Sequence, residues 1–387
     1  MVYYKVFMHG GKKVNVLMVV TWCTKQGNDT LEAGVFHYEQ ALNLIENGCN
    51  VAIYFPYDQQ IGDEFTKKQE WGVLTYRSKF IPGKKLYNFR TTNASMAKIM
   101  EDFKPDVIHA HCAAGAGALS VRFAKKYKLP LVITEHSPLA LSRADKYGLS
   151  RVLSKRAFKN SNANICVSEF SKKELQNAFP KACFGTIYNG IIMPKPQKKD
   201  KKYYKEGYVN AVIVAMLYDK EVKGMPYLLE ALQRSKEEGK KIILHHIGGG
   251  EYLDYFKDMA KKLGLEKECI FYGKCDRDTL YEIEEEMDFF VSSSLNECSG
   301  VSVEEAMLLG KPILGTNSGG VDSLVPEHAG LIVERANAVA LKDGMVKMIE
   351  QMHEFDNKEI QKYAMEHFEI NGISKKYMEL YKNLINR

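Results

Sequence analysis

The chain has 387 residues, of which 45% are hydrophobic and 26% charged, and a formal net charge of +6. That length and balance suit two globular domains of ordinary size. They exclude low-complexity and repeat architectures, and no run approaches the ~18 apolar residues of a membrane span. Residues 1–190 hold 26 Lys and Arg against 15 Asp and Glu, a net +11, whereas the remainder holds 28 against 33, a net −5. The first half therefore offers a basic surface, either simply solvated or turned to an anionic membrane or phosphorylated acceptor. Eight scattered cysteines without a CxxC pair read as reduced thiols of a cytosolic protein. The N-terminus shows no secretory h-region.

In chain order, Val14 to Trp22 is an almost continuous apolar run, a strand covered on both faces. A polar loop ends at Gly34. Tyr38, Ala41, Leu42 and Ile45 then form the apolar stripe of a helix, closed by Gly48, and Asn50 to Phe55 is the second strand. Strand, Gly-containing loop, helix and strand open a Rossmann-like half. Residues 57–95 read as irregular, with strand character near Gly72–Tyr76. Asp106 to His111 is a strand whose His109 and His111 share one face by alternation, and a helix over Leu119–Lys128 follows. Leu131 to Thr134 is a strand ending at Glu135-His136, where open α/β sheets hold ligands. Leu141 to Lys159 is a basic helical stretch that is either a charged helix face or a membrane-surface segment. Pro194 to Lys205 is polar and aperiodic, as a linker is. The pattern then restarts with strands at Asn210–Met216, Ile242–Ile247 and Ile270–Tyr272, and helices from Pro226 and Tyr252.

The most informative stretch is Glu297 to Gly320. A short strand, Phe289 to Val291, runs through a loop containing Gly300 into a helix with Val303, Ala306, Met307 and Gly310 on one face. Unpaired backbone N–H groups and the helix dipole make such a loop an anion site. Glu297 and Glu305 flank it with seven residues between them. For Glu305 two readings stand: a capping box with Ser302, or a carboxylate for the hydroxyls of a bound ribose.

The whole stretch, with its continuation Glu-Ala-Met, Gly-Lys-Pro and Thr-x-x-Gly-Gly, resembles the E-x7-E segment of the retaining, nucleotide-sugar-dependent glycosyltransferases of family 4. The likeness covers nearly the whole chain. Gly34-Val-Phe-His-Tyr-Glu, Asp106-Val-Ile-His-Ala-His111, Thr134-Glu-His136, Lys223-Gly224, Gly248-Gly-Gly250 and the C-terminal Tyr377 and Tyr381 all match its pattern. It implies an α/β, GT-B fold: two Rossmann-like domains facing a cleft, over 1–195 and 196–368, with residues 369–387 returning as a helix to the first. It further implies transfer of a hexose from a UDP- or GDP-sugar to a glycan or lipid-linked acceptor in cell-surface polysaccharide or glycolipid synthesis, without a metal or other cofactor.

The resemblance assigns His136 and Glu297 to catalysis. It gives Lys223, Gly249, Glu297, Ser299, Gly300, Val301 and Glu305 to the donor, and Gly34 and His111 to the acceptor. It places the protein in the cytoplasm, in peripheral contact with the inner membrane face and with no nucleic-acid partner. One departure stands out: Ala215-Met216-Leu217 replaces the family's Gly-Arg-Leu, so a diphosphate-binding Arg is missing, with Lys220 a substitute of poorer geometry. Met216 keeps open a non-catalytic partner subunit, beside a related GT-B epimerase. Asp276-Arg277-Asp278 is formally a D-x-D metal motif, but its context argues against that use.

Overall fold

The computed structural model describes residues 13–23, 34–137, 148–193 and 201–386. The loop before Gly34, the first part of the basic stretch and most of the linker lie outside them. The first half comprises β1 (Asn15–Val19), α1 (Val35–Glu46), β2 (Asn50–Asp58), β3 (Phe65–Glu70), β4 (Val73–Lys79), α2 (Lys85–Asp102), β5 (Val107–His111), α3 (Ala118–Tyr127), β6 (Leu131–Glu135), α4 (Gly148–Asn160), β7 (Ala163–Cys166), α5 (Glu169–Ala178) and β8 (Gly185–Thr186). The second half comprises β9 (Val209–Val214), α6 (Met225–Glu237), β10 (Ile242–Ile247), α7 (Leu253–Lys262), β11 (Cys269–Gly273), α8 (Arg277–Glu286), β12 (Phe289–Ser292), α9 (Val301–Leu308), β13 (Ile313–Thr316), α10 (Gly320–Leu324), β14 (Gly330–Val333), α11 (Ala338–Glu350), α12 (Asn357–Phe368) and α13 (Ile370–Ile385).

Each half builds its own sheet. The orders are β3-β4-β2-β1-β5-β6-β7-β8 and β11-β10-β9-β12-β13-β14, parallel throughout except for the β3–β4 hairpin. In both, strand order reverses beside the first strand, between β1 and β5 and between β9 and β12. The loops leaving the carboxyl ends of those neighbours part there and open a crevice. The central strands β1, β5, β6, β9, β10, β12 and β13 are buried on both faces, as parallel strands under helices must be.

The stretch read as irregular holds β3 and the first turns of the 18-residue helix α2, and β4 lies where strand character was expected. The helix escaped notice because its buried face is Thr91, Thr92, Ser95, Met96 and Ile99, so it carries little hydrophobic contrast. β4 likewise buries Arg77, whose charge is answered by Asp58 at 3.0 Å and Glu70 at 2.6 Å.

The chain crosses between the halves twice, and the crossings touch: Ile191 N–H donates to Phe368 O and Ile370 N–H to Ile191 O. α13 then lies on the first sheet, with Ile373, Tyr377 and Tyr381 in its core. Tyr381 Oη lies 2.7 Å from His109 Nδ1, and Tyr377 Oη lies 3.1 Å from Thr134 Oγ1. Tyr381→Phe leaves a buried ring nitrogen without its partner, so it should cost about 1–3 kcal/mol. Denaturant unfolding of the full chain checks this, and an unchanged midpoint would show that the α13 anchor lies elsewhere.

Candidate functional site

The two switch points face one another across a cavity of about 710 Å³. Its wall includes His136, Lys223, Glu297, Ser299, Gly300, Val301 and Glu305, so seven residues singled out in the sequence converge on one space. The remaining three lie beside it. Gly34 is the left-handed N-cap of α1, and the wall takes Val35 instead. Gly249 gives its N–H to Met216 Sδ, and the wall takes Gly248. His111 is wholly buried behind His136, so direct acceptor contact by His111 is not possible in this geometry.

The second half's loops are built by local rules. Lys223 ends the loop after β9, and Gly224 caps α6 in the left-handed region. A side chain at Gly224 would run into the Ser293 carbonyl, so glycine alone lets this loop lie against the one after β12. The close approach brings Lys223 Nζ to 2.5 Å from Glu297 Oε1, and Ser294 Oγ donates to the same oxygen at 2.9 Å. Gly300 caps α9, and no side chain caps that helix. The capping-box reading of Glu305 therefore fails. Glu305 Oε1 instead accepts from Tyr281 Oη at 3.0 Å and Arg277 Nη2 at 3.3 Å. The two glutamates repeat one arrangement, in which a cation and a hydroxyl hold Oε1 while Oε2 has no partner among the described residues. Burial raises the Glu305 carboxyl above its usual range against the opposing charge of Arg277.

Glu304, one residue earlier, points inward. Ser299 Oγ binds its Oε1, and burial pushes its carboxyl up to about 8, so it is protonated at neutral pH. The Ser299 hydroxyl is thus engaged by Glu304. Asp276 accepts from Thr279 N–H as the N-cap of α8, a helix-starting role for the first Asp of D-x-D. Lys220 lies over the rings of Tyr252 and Tyr255 and does not line the cavity, so it does not stand in for the missing Arg there.

Sequence reasoning missed Arg277, Tyr281, Glu39 and Lys274. Arg277 and Lys274 lie in or beside the loop after β11, and Glu39 sits within the quoted α1 motif. Spacing carries no sign that they meet.

In the first half, His37, His109, His111 and His136 pack together. His111 Nδ1 lies 2.9 Å from His136 Nε2 with the rings stacked at 5.1 Å, and His37 stands edge-on to His111 at 4.5 Å. His109 is held between Thr134 at 2.8 Å and Tyr381. Among the described residues the four do not form a metal-binding group. Burial lowers His136 to about 4 and His109 to about 3, and drives His37 and His111 well below the usual value. His136 is therefore a neutral hydrogen-bonding group at pH 7.

The architecture matches that of the Anabaena protein HepE, solved in complex with UDP, at a TM-score of 0.75 over 96% of this chain and 100% of that one, with 18% identity. The fold is the GT-B arrangement of two facing Rossmann-like units. Residues 196–367 match the family model described as Glycosyl transferases group 1, and residues 33–193 match that of Glycosyltransferase Family 4. The chain belongs to this family of glycosyltransferases.

Among curated relatives, an uncharacterised glycosyltransferase of Methanocaldococcus jannaschii is 26% identical over 65% of this chain and 67% of its own length. A putative teichuronic acid biosynthesis glycosyltransferase of Bacillus subtilis, TuaC, is 23% identical over 85% of this chain and 89% of its own. The chain spans 59% to 67% of the length of the first curated relatives it matches. Among the described residues no helix is long and apolar enough to cross a membrane.

Unfolded histidines titrate near 6.5, and these four do so much lower. Between about pH 6.5 and 4 these four groups take up protons in the unfolded chain and not in the folded one, so they lose stability as pH falls through that window, by up to about 5 kcal/mol per pH unit, against an opposing gain from the raised carboxyls of Glu284 and Glu304. Circular dichroism should show cooperative acid unfolding within it. His37→Phe removes two ring nitrogens that have no partner among the described residues and should move the midpoint to lower pH. An unmoved midpoint would mean that the cluster does not set acid stability.

Proposed function

We propose that the chain is a retaining, metal-independent hexosyltransferase that uses a nucleotide diphosphate-sugar. Its acceptor is a hydroxyl of a glycan or lipid-linked glycan in cell-surface polysaccharide or glycolipid assembly. The observation that carries this reading is the pair of half-committed glutamates on either side of the α9 N-terminus. A ribose diol and the donor-sugar hydroxyls each require a fixed carboxylate with an uncommitted oxygen, and a diphosphate requires N–H groups and cations between them. Glu305 takes the ribose, Glu297 the sugar, and Lys223 with the backbone at Gly300 the diphosphate.

The departing diphosphate is stabilised by these positive groups as the anomeric carbon becomes oxocarbenium-like. Lys274 and Arg277 also line the cavity and add positive charge where Met216 supplies none. His136, neutral and backed by His111, orients the sugar near the reacting carbon. HepE's complex with UDP and the naming of TuaC for teichuronic acid support the donor and acceptor classes by likeness. On α4, the exposed Leu149 and Val152 lie among Arg151, Lys155, Arg156 and Lys159, which supports a peripheral contact with an anionic membrane.

Calorimetry with UDP, GDP and ADP and their hexose conjugates, without added metal, tests the reading. One nucleotide should bind at micromolar Kd and lose affinity in Lys223→Ala. Binding to none by folded protein would favour the non-catalytic partner subunit, for which Met216 is the supporting feature.

Once a donor is found, Glu305→Ala should raise its KM by about 10–100-fold, the worth of a hydrogen bond to a charged group. His136→Ala should mainly lower kcat. Steady-state kinetics showing both variants equal to wild type would overturn the two assignments.

A further inference from the structure

Arg277 is the first residue of α8, in the second half, and each guanidinium nitrogen has a separate partner. Nε donates to Tyr281 Oη at 2.9 Å, Nη2 to Glu305 Oε1 at 3.3 Å, and Nη1 to Glu39 Oε1. Tyr281 passes the contact on, since its hydroxyl also reaches Glu305 Oε1. Glu39 belongs to α1, on the first sheet, 238 positions away in the chain. Both carboxylates and the guanidinium line the cavity, and their side chains are largely shielded, with 17% of Glu39, 13% of Glu305 and 29% of Arg277 exposed. Arg277 is the sole cation on Glu39 among the described residues. The bridge is thus an ion pair between the halves that ends on the carboxylate assigned above to the ribose.

We propose that Arg277 is a positioning residue that couples ribose binding at Glu305 to closure of the cleft through Glu39. The inference rests on the proposed role of Glu305. A guanidinium fork matches a carboxylate in two parallel hydrogen bonds. With the halves apart, Nη1 loses Glu39, and both Nη1 and Nη2 can settle on Glu305, covering Oε2. With the halves together, Glu39 draws Nη1 away, Arg277 keeps only Oε1, and Oε2 is left for the diol. Closure therefore favours nucleotide, and nucleotide must favour closure to the same degree. The loop contacts across the cleft, Ser168 Oγ to Cys298 O and Ser299 Oγ to Val167 O at 3.4 Å, do not involve Glu305 and cannot supply this coupling.

The test combines calorimetry with the best-binding nucleoside diphosphate and small-angle scattering of ligand-free protein. Glu39→Gln should weaken nucleotide binding on the order of tenfold and enlarge the radius of gyration. Arg277→Lys, which keeps the charge but has no fork, should do the same. In a Glu305→Ala background, Glu39→Gln should have no further effect on affinity, whereas damage to the fold would still lower it. Wild-type affinity and wild-type dimensions in Glu39→Gln would overturn the coupling, as would full additivity with Glu305→Ala. If wild type binds no nucleotide, or Glu305→Ala binds it normally, the proposed function of Glu305 fails instead. The scattering then decides alone: expansion in Glu39→Gln supports the tie between Arg277 and closure, and no expansion overturns it.

Discussion

A carboxylate grips a ligand well when its plane is fixed by one oxygen and the other oxygen is uncommitted. The cleft meets that condition at Glu297, through Lys223 and Ser294, and at Glu305, through Arg277 and Tyr281. An ammonium or guanidinium offsets the cost of holding a charge in a shielded place, and a hydroxyl sets the angle. Much of the second half serves that arrangement. Gly224 lets the β9 loop reach the β12 loop, Gly300 starts α9 without a side chain over the N–H groups, and α8 carries both groups that hold Glu305. Lys311 anchors this region from below by donating to the Glu285 and Met287 carbonyls at the end of α8.

The first half contributes differently. Its switch point is packed with neutral histidines rather than with charge. A neutral imidazole can donate at one nitrogen and accept at the other, so a stacked set of rings holds His136 in one orientation without bringing a cation to the cavity wall. The last helix supplies part of that support, since Tyr381 and Tyr377 reach His109 and Thr134 from α13. The chain end that follows the second sheet thus packs on the first, and the crossings at Ile191 and Phe368–Ile370 are joined by backbone hydrogen bonds.

The doubly wound halves were legible because parallel strands are short, continuous apolar runs, and most helices here carry an apolar stripe. Helix α2 was not, because three of its five buried positions are Thr91, Thr92 and Ser95, and a hydrophobicity pattern does not register a buried polar side chain. The cavity was legible through its Gly-rich turns and paired carboxylates, which are local in sequence. His111 was assigned to the acceptor by resemblance, and alternation places it on one strand face with His109. That alternation holds, with the rings 4.4 Å apart, but it says nothing of depth, and His136 lies in front.

From the sequence alone come the two α/β halves and the Gly-containing loop before α9, because each depends on backbone periodicity or on a turn a few residues long, while Lys223, Glu297, Glu305 and His136 stood out through their resemblance to the family's motifs. Only the tertiary structure decides what holds those residues. Glu39 and Arg277 lie far apart in the chain, as do His109 and Tyr381, and nothing in their local sequence pairs them. Their meeting depends on the facing of two sheets and the return of one helix, and such long-range contacts leave no periodic trace in the chain that forms them.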